Sequence, residues 1–419
     1  MSSASQPWSD DVAATPLDEI DVSLPERFAD GSWRGWFARL RAEAPVHYCA
    51  ESATGPYWSV TRHADIKAVD TDHQRFSSEL GGITIADVPE TDEVRLDNFI
   101  AMDEPKHAAQ RRTVSPSVAP TNLARLEPLI RERVIDILDN LPVGEPFNWV
   151  QEVSVELTAR MLATLFEFPY EDRHKLIYWS DVTTASPELT GAAGASREER
   201  VAAFQACAEA FMTLWQDRAS AEPGADLISM LAHGESTRDM VTRPKEFLGN
   251  ILLLIVGGND TTRNSISGGV LALNRQPEEM ARLRANPSLT PNMVAEMIRL
   301  QSPVIHMRRT AREDVELSGQ RIRAGDKVIM WYLSGNRDEH VFPEADLLRI
   351  HRPNARQHVS FGYGVHRCMG NRLAEMQLNV LWEELLKRFS AIELVGEPVI
   401  NANNFIHGIA DLPIRLQRY

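Results

Sequence analysis

Three things are scarce in this sequence, and each scarcity removes a class of answers. Cysteine occurs only as Cys49, Cys207 and Cys368, with no C-x-x-C pair and no C-x-x-C-H. That excludes a disulfide framework, a zinc ribbon and covalent haem attachment of the c type, so each cysteine has to be judged alone. Long apolar runs are missing, since the longest aliphatic stretch, Ile251 to Val256, is far below the roughly 20 residues needed to cross a bilayer. The opening stretch Met1 to Asp11 carries acids and no apolar core, so neither a secretory signal nor an anchor is expected there, and the cytoplasm is the expected location. Positive charge is also short: 44 Lys and Arg against 59 Asp and Glu leave a net charge of −15. Nucleic acid is therefore not an expected partner, and an apolar or neutral substrate is compatible with the balance.

Repeats and low-complexity tracts are absent as well. With 43% hydrophobic and 25% charged residues the chain reads as an ordinary globular protein, not as a disordered or fibrous one. Its 419 residues suit one large α-rich domain with inserted loops. The expected division is an irregular N-terminal arm over residues 1–25 and a single folded domain over 26–419. Helical spacing of apolar residues runs from Leu123 to Leu141, Val153 to Phe168, Glu199 to Arg218, Lys245 to Asn274 and Met369 to Phe389. Strand-like pieces are short: Val46 to Cys49, Tyr57 to Thr61, Arg309 to Leu317 and Lys327 to Leu333. The segment from Ala185 to Ser196 reads as a Gly/Ala/Ser loop. The fold class expected is mainly α with a small β part. Thr242-Arg-Pro244 and Thr290-Pro291 each put a hydroxyl residue near the cap and proline in the first turn, so helices should start there.

Cys368 stands in the run Ser360-Phe361-Gly362-Tyr363-Gly364-Val365-His366-Arg367-Cys368-Met369-Gly370, followed by strong helix formers. A sulfur there sits at a helix N-terminus, where free amides and the positive end of the dipole, with Arg367 and His366 beside it, favour a thiolate at neutral pH. A lone cysteine before a helix is ordinarily a small buried hydrophobe. The spacing F-x-x-G-x-x-x-C-x-G, with Phe361, Gly364, Cys368 and Gly370 in register, reverses that expectation. It resembles the cysteine loop of the cytochromes P450. A dinucleotide fingerprint does not fit, because Arg367 stands where glycine is needed and no suitable strand precedes it.

The resemblance covers most of the chain and implies the cytochrome P450 fold. Haem b (iron protoporphyrin IX) would lie between a long distal helix near 245–274 and a proximal cysteine loop and helix near 361–389, with Cys368 as the metal ligand. Haem propionates need cations and donors converging on one edge. His107 and Arg111 in Met102-Asp-Glu-Pro105-Lys-His107-Ala-Ala-Gln-Arg111, Arg309 in Arg308-Arg309-Thr310, and His366 match the family's partners for them. Glu296 and Arg299, on one helical face, together with Arg352 look like the family's buried Glu-Arg-Arg network, a structural clamp.

Ile255-Val256-Gly257-Gly258-Asn259-Asp260-Thr261-Thr262 breaks a helical pattern with paired glycines, each costing roughly 1 kcal/mol relative to alanine. Space for dioxygen is the functional reason for them, and close helix packing the structural one. The stretch resembles the family's [AG]-G-x-[DE]-T-[TS] motif, which implies a catalytic acid–alcohol pair of Asp260 and Thr261 that relays protons to the oxygen side. Arg263 would either gate Asp260 by pairing with it or stand as an exposed helix charge.

The wording from Leu252 to Asn274, with His306-Met-Arg-Arg-Thr310 and Met330-Trp-Tyr-Leu-Ser-Gly-Asn-Arg337, resembles the bacterial alkane and fatty-acid ω-hydroxylase (CYP153-like) group. That implies hydroxylation of the terminal carbon of medium-chain alkanes or fatty acids, a linear apolar substrate, with O2 as co-substrate. By the family pattern Leu253, Val256, Gly257, Ile305, Met307, Phe405 and Ile406 would face the pocket, an almost wholly apolar set. Gly81-Gly82-Ile-Thr-Ile and the loop to Asn98 are expected as a lid. No flavin or iron–sulfur motif is present, so two electrons are expected from a ferredoxin and its NAD(P)H-dependent reductase, docking on basic residues such as Arg111, Arg112, Arg367 and Arg372. The alternatives are a monooxygenase of another apolar compound, a terpenoid or a steroid, and more remotely a haem-thiolate sensor.

Overall fold

The computed structural model describes residues 8–88, 92, 94–191 and 194–419. Its helices do most of the building. Those that position the site are α1 (Lys106–Val114), α2 (Pro120–Asp139), α3 (Glu156–Phe166), α4 (Arg173–Thr184), α5 (Arg197–Ser220), α6 (Pro244–Arg275), α7 (Thr290–Gln301) and α8 (Asn371–Arg388). The 32-residue α6 is about 48 Å long at 1.5 Å per residue. It is buried on nearly every side over its C-terminal half, from Asn264 to Leu273, so it acts as the axle of the helical core. Pro244 occupies its first turn, as the Thr242-Arg-Pro244 signal predicts.

The largest sheet has five strands: β1 (Val46–Cys49), β2 (Tyr57–Val60), β3 (Phe76–Ser77), β4 (His306–Ala311) and β5 (Lys327–Trp331), in the spatial order β1-β2-β5-β4-β3. β5 is parallel to β2 (Trp58 opposite Val328) and antiparallel to β4 (Met307 opposite Met330). The segment expected as one strand from Arg309 to Leu317 is two, His306–Ala311 and Val315–Leu317, with Arg312, Glu313 and Asp314 turning between them. Residues 8–25 carry two short helical turns, Asp10–Ala14 and Leu17–Glu19, and Ile20 and Val22 are buried against the sheet with Trp33, Phe37 and Trp331. A second apolar cluster fills the space between the helices, with Ile130, Val153, Leu162, Ile251 and Trp382 near its centre.

Glu296, Arg299 and Arg352 meet in the interior. The Arg299 guanidinium donates to both Glu296 oxygens at 2.7 and 2.8 Å, and Arg352 Nε donates to Glu296 Oε1 at 2.8 Å. Spare donors of Arg299 reach the carbonyls of Asn336, Ala345 and Leu347; those of Arg352 reach Pro343, Glu344 and Leu347. The clamp continues toward the cysteine loop, because Asn336 Nδ2 donates to Ser360 Oγ at 2.7 Å and Ser360 Oγ donates to the Ile298 carbonyl of α7 at 2.9 Å. A connection of irregular backbone is thereby held rigidly at the base of the site.

Candidate functional site

A cavity of about 820 Å³ lies between α6 and the cysteine loop, and both Cys368 and Thr261 line it. The loop is shaped by two glycines at positive φ, Gly362 at +64° and Gly364 at +66°. A Cβ on Gly364 would come within 2.6 Å of the Asp70 carbonyl oxygen, so the loop needs glycine there for close approach as well as for its backbone angle. Its register is fixed by Cys368 N–H donating to the Phe361 carbonyl at 2.7 Å. Asp70, which the sequence alone did not single out, fastens the loop from outside. Its carboxylate accepts from Tyr363 N at 2.6 Å, Tyr332 OH at 3.0 Å and Arg309 Nη2 at 2.8 Å. Burial raises Asp70 above the ordinary carboxylate range, against the pull of Arg309.

Cys368 stands three residues before α8 and lines the cavity, exposed to it. Burial raises the thiol above its ordinary range; the amides of Gly370 and Asn371 and the charges of Arg111 and Arg367 oppose that shift without cancelling it. The helix end and the two arginines act in the expected direction, and a cation bound at the sulfur would favour the thiolate further. Cys49 and Cys207 are buried, and burial pushes Cys49 up to about 11 and Cys207 further still. Neither is a competing nucleophile or ligand.

Four donors gather at one edge of this cavity. Arg111, Arg309 and His366 line it, while His107 sits one layer behind, its ring 4.1 Å from that of His366. Arg111 Nη2 donates to the Arg367 carbonyl at 2.5 Å, tying α1 to the cysteine loop. His107 Nδ1 pairs with Glu104 Oε1 at 3.1 Å. His107 Nε2 and His366 Nδ1 are buried and have no hydrogen-bond partner. Burial, then the neighbouring Arg309, drives His366 down to about 2, and burial lowers His107 too. Two arginines and an unsatisfied His366 ring nitrogen at the rim of a cavity suit an anionic group. Among the described residues no group of three or more His, Cys, Asp or Glu could hold a metal ion. A metal at Cys368 must therefore bring its other ligands with it, as a porphyrin does. Thiol, donor edge and cavity together fit haem.

On the opposite wall, the paired glycines divide the work. A Cβ on Gly257 would meet nothing within 4 Å, whereas one on Gly258 would lie 2.8 Å from Leu162 Cδ2 of α3. Gly257 keeps space in the cavity, and Gly258 is a packing residue, so the two positions serve different ends. Thr261 Oγ1 donates to the Gly257 carbonyl at 2.9 Å. Asp260 is fully buried. Asn259 Nδ2 reaches its Oδ1 at 2.9 Å, Arg263 Nη2 the same oxygen at 2.8 Å, and Thr184 Oγ1 its Oδ2 at 3.3 Å. Burial, helped by the nearby charge of Asp181 and opposed by Arg263, lifts Asp260 to about 6.

Of the pocket residues named from the sequence, Leu253, Val256, Gly257, Met307, Phe405 and Ile406 line the cavity. Ile305 does not: its side chain is fully buried in the sheet-side core, and Val304 takes the cavity wall instead. The physical reason is local, for β4 begins only at His306, so strand alternation does not extend back to 305. The expected lid is also corrected over residues 80–87, which are pinned to the sheet. Arg308 N donates to the Ile83 carbonyl at 2.8 Å, Lys327 Nζ to the Ile85 carbonyl at 2.9 Å and to Asp87 Oδ2 at 2.8 Å. His306 Nε2 accepts from Ile85 N at 3.0 Å, which leaves Nδ1–H to donate to the Asn404 carbonyl at 2.8 Å. Residues 89–91 and 93 of that segment lie outside the described residues.

A helical fold whose cavity holds one thiol at its base and an acid–alcohol helix opposite defines a haem-thiolate class of protein, and the chain belongs to the cytochrome P450 family. The model of that family, Cytochrome P450, matches residues 195–416, and members of the family bind haem b. Among solved structures, the chain is similar to Cytochrome P450-153 from Novosphingobium aromaticivorans, with a TM-score of 0.88, 45% identity, and 95% of this chain and 99% of that one covered. Linalool 8-monooxygenase of Pseudomonas putida is 37% identical, over 96% of this chain and 99% of its own length. A methyl-branched lipid omega-hydroxylase of Mycobacterium bovis is 32% identical, over 96% and 97% respectively. The protein is a cytochrome P450 monooxygenase. No helix among the described residues is long and apolar enough to cross a membrane.

Proposed function

We propose that this monooxygenase hydroxylates the terminal carbon of medium-chain alkanes or fatty acids in the cytoplasm, with electrons from a ferredoxin and its NAD(P)H-dependent reductase. The observation that carries the reading is the chemistry of the wall around Thr261. Leu253 and Val256 from α6, Val304 and Met307 from the approach to the sheet, and Phe405 and Ile406 from the C-terminal loop present only hydrocarbon and thioether there. Such a wall offers an apolar chain burial at about 25 cal/mol per Å² and offers a polar head group no partner. The resemblance to the P450-153 structure and to a lipid omega-hydroxylase points the same way.

In this reading bound haem supplies the iron at which dioxygen is activated. Cys368 Sγ would ligate it, and Arg111, Arg309 and His366, with His107 behind, would hold its propionates. Asp260 stores a proton and Thr261 hands one on at its hydroxyl, while the apolar wall excludes water and presents the chain end. Arg112, Arg367 and Arg372 are exposed and would receive an acidic electron donor.

A terpenoid substrate is the second reading, favoured by the 37% identity to the linalool enzyme. Optical titration of the haem-loaded protein with octane, octanoic and dodecanoic acids, linalool, camphor and a steroid separates the two. A low-to-high-spin shift with linear chains, and a terminal alcohol as product, is the expected result. A shift confined to the terpenoids or the steroid sinks the linear-chain assignment, and a reduced carbon monoxide spectrum lacking a thiolate-type band overturns Cys368 as ligand.

A further inference from the structure

Phe405 and Ile406 reach the cavity from residues 401–408, which form neither helix nor extended strand. The chain leading into β4 holds one side of this turn. Ile305 N donates to the Phe405 carbonyl at 2.8 Å, His407 N to the Pro303 carbonyl at 2.9 Å, and His306 Nδ1 to the Asn404 carbonyl at 2.8 Å. The amides of the two wall residues go elsewhere. Both donate to one atom, Asn403 Oδ1, Phe405 N at 2.7 Å and Ile406 N at 2.8 Å. The other end of the same carboxamide leaves the turn, for Asn403 Nδ2 donates at 3.0 Å to the carbonyl of Thr184, the last residue of α4. Thr183 and Thr184 line the cavity as well, while Asn403 is buried behind the wall and does not line it. An asparagine that merely shapes a turn bonds its own backbone two residues on. Asn403 holds two successive amides, both belonging to residues of the wall, and spends its donor on a distant helix.

We propose that Asn403 is a positioning residue that decides which carbon of a bound chain is presented for reaction. Its oxygen fixes Phe405 and Ile406 in the wall, and its nitrogen sets the spacing between that wall and the end of α4. This rests on the linear-chain reading given above. A terminal C–H bond is stronger than the internal ones beside it, so attack at the end requires a channel that admits the chain tip alone. A shift of about 1 Å in a wall residue is enough to change which carbon stands in reach. Both halves of the carboxamide are needed: aspartate supplies the acceptor and no donor, and alanine supplies neither.

The test compares haem-loaded wild-type protein with Asn403→Ala and Asn403→Asp, on whichever linear chain gives the spin-state shift. The first readout is hydrogen exchange at the Phe405 and Ile406 amides. It should quicken about tenfold in Asn403→Ala, the scale of one lost hydrogen bond, and keep the wild-type rate in Asn403→Asp, which retains the acceptor. The second is the ratio of terminal to internal alcohol. It should fall about tenfold in Asn403→Ala, and by a smaller measurable factor in Asn403→Asp, where only the tie to α4 is gone. A merely structural defect would lower all products together and leave that ratio unchanged. Wild-type exchange or a wild-type ratio in Asn403→Ala overturns the proposal, and a wild-type ratio in Asn403→Asp overturns the link to α4. Should Asn403→Ala fail to retain haem, Asn403→Asp decides alone. Failure of every linear chain to bind would refute the substrate assignment instead, and the exchange rates, with the product spread on the compound that does bind, would still judge Asn403.

Discussion

Replacing Glu296 by alanine should be among the most damaging single changes outside the cavity. Glu296 is completely buried and accepts three guanidinium hydrogen bonds, from Arg299 Nε, Arg299 Nη2 and Arg352 Nε, as well as Arg349 N at 3.1 Å. Removing it leaves two buried cations without a counter-charge, and breaking a buried pair from one side costs about 3–5 kcal/mol. The carbonyls that both arginines also bond hold them in place, so they cannot escape to solvent to relieve the loss. With an unfolding entropy of roughly 2.1 cal/mol/K per residue, a 419-residue chain loses about 1 °C of Tm per kcal/mol, so a fall of roughly 3–6 °C is expected. The assay is thermal unfolding of haem-loaded protein followed by circular dichroism. Glu375→Gln serves as the control. It breaks the Arg356 pair, in which the arginine is 57% exposed, and such surface pairs are worth about 0–1 kcal/mol. If Glu296→Ala melts within 1 °C of that control, the clamp is not the electrostatic tie described.

The adjacent glycines of α6 should answer alanine with opposite signs. Gly257→Ala, facing open space, should stabilise the helix by up to about 1 kcal/mol in urea unfolding while narrowing the cavity for substrate. Gly258→Ala, pressed on Leu162, should cost about 1–3 kcal/mol, and equal effects at the two positions would contradict their assigned roles. Three buried histidines should make the fold acid-sensitive. Burial holds His306 and His407 down to about 4 and His358 down to about 3, so below about pH 6.5 the unfolded chain takes protons that the folded one refuses. Stability is therefore lost as pH falls from about 6.5 to about 4, on the order of 3 kcal/mol for His306 alone. Urea midpoints at pH 7, 6 and 5 measure this, and a His306→Phe variant should show a shallower slope. Finally, Cys368→Ser should abolish the thiolate-type carbon monoxide band, whereas Cys207→Ala should leave it in place and lose only packing stability.

Much of the site was legible because its chemistry depends on short, contiguous runs. The cysteine loop and the Gly257–Thr262 stretch each carry their function within a dozen residues, and the helices expected at 245–274 and 369–389 appear as Pro244–Arg275 and Asn371–Arg388. What escaped reading depends on contacts between distant segments. Asp70 sits on an unremarked helix, His63–Thr71, and acquires its role only by meeting Tyr332, Tyr363 and Arg309. Thr184 ends a helix, α4, whose mixed polar and apolar sequence gave no periodic signal. Ile305 was misplaced because the family pattern does not show that the strand begins only at His306, and the lid expectation failed over residues 80–87 because loop composition says nothing of the Lys327 and Arg308 anchors beneath it.

Asp70 carries a consequence for how the site can change over evolutionary time. One oxygen of its carboxylate takes Arg309 and the other takes the backbone and hydroxyl that frame the cysteine loop. It therefore serves as a common datum from which both the loop that bears Cys368 and the guanidinium of Arg309 at the cavity edge are measured. Sequence drift in the sheet that bears Arg309 or in the loop that bears Cys368 is referred to the same point, so loop and edge move together or not at all. Leu253, Val256, Met307 and Phe405, on the apolar wall of the cavity, are not tied to that point.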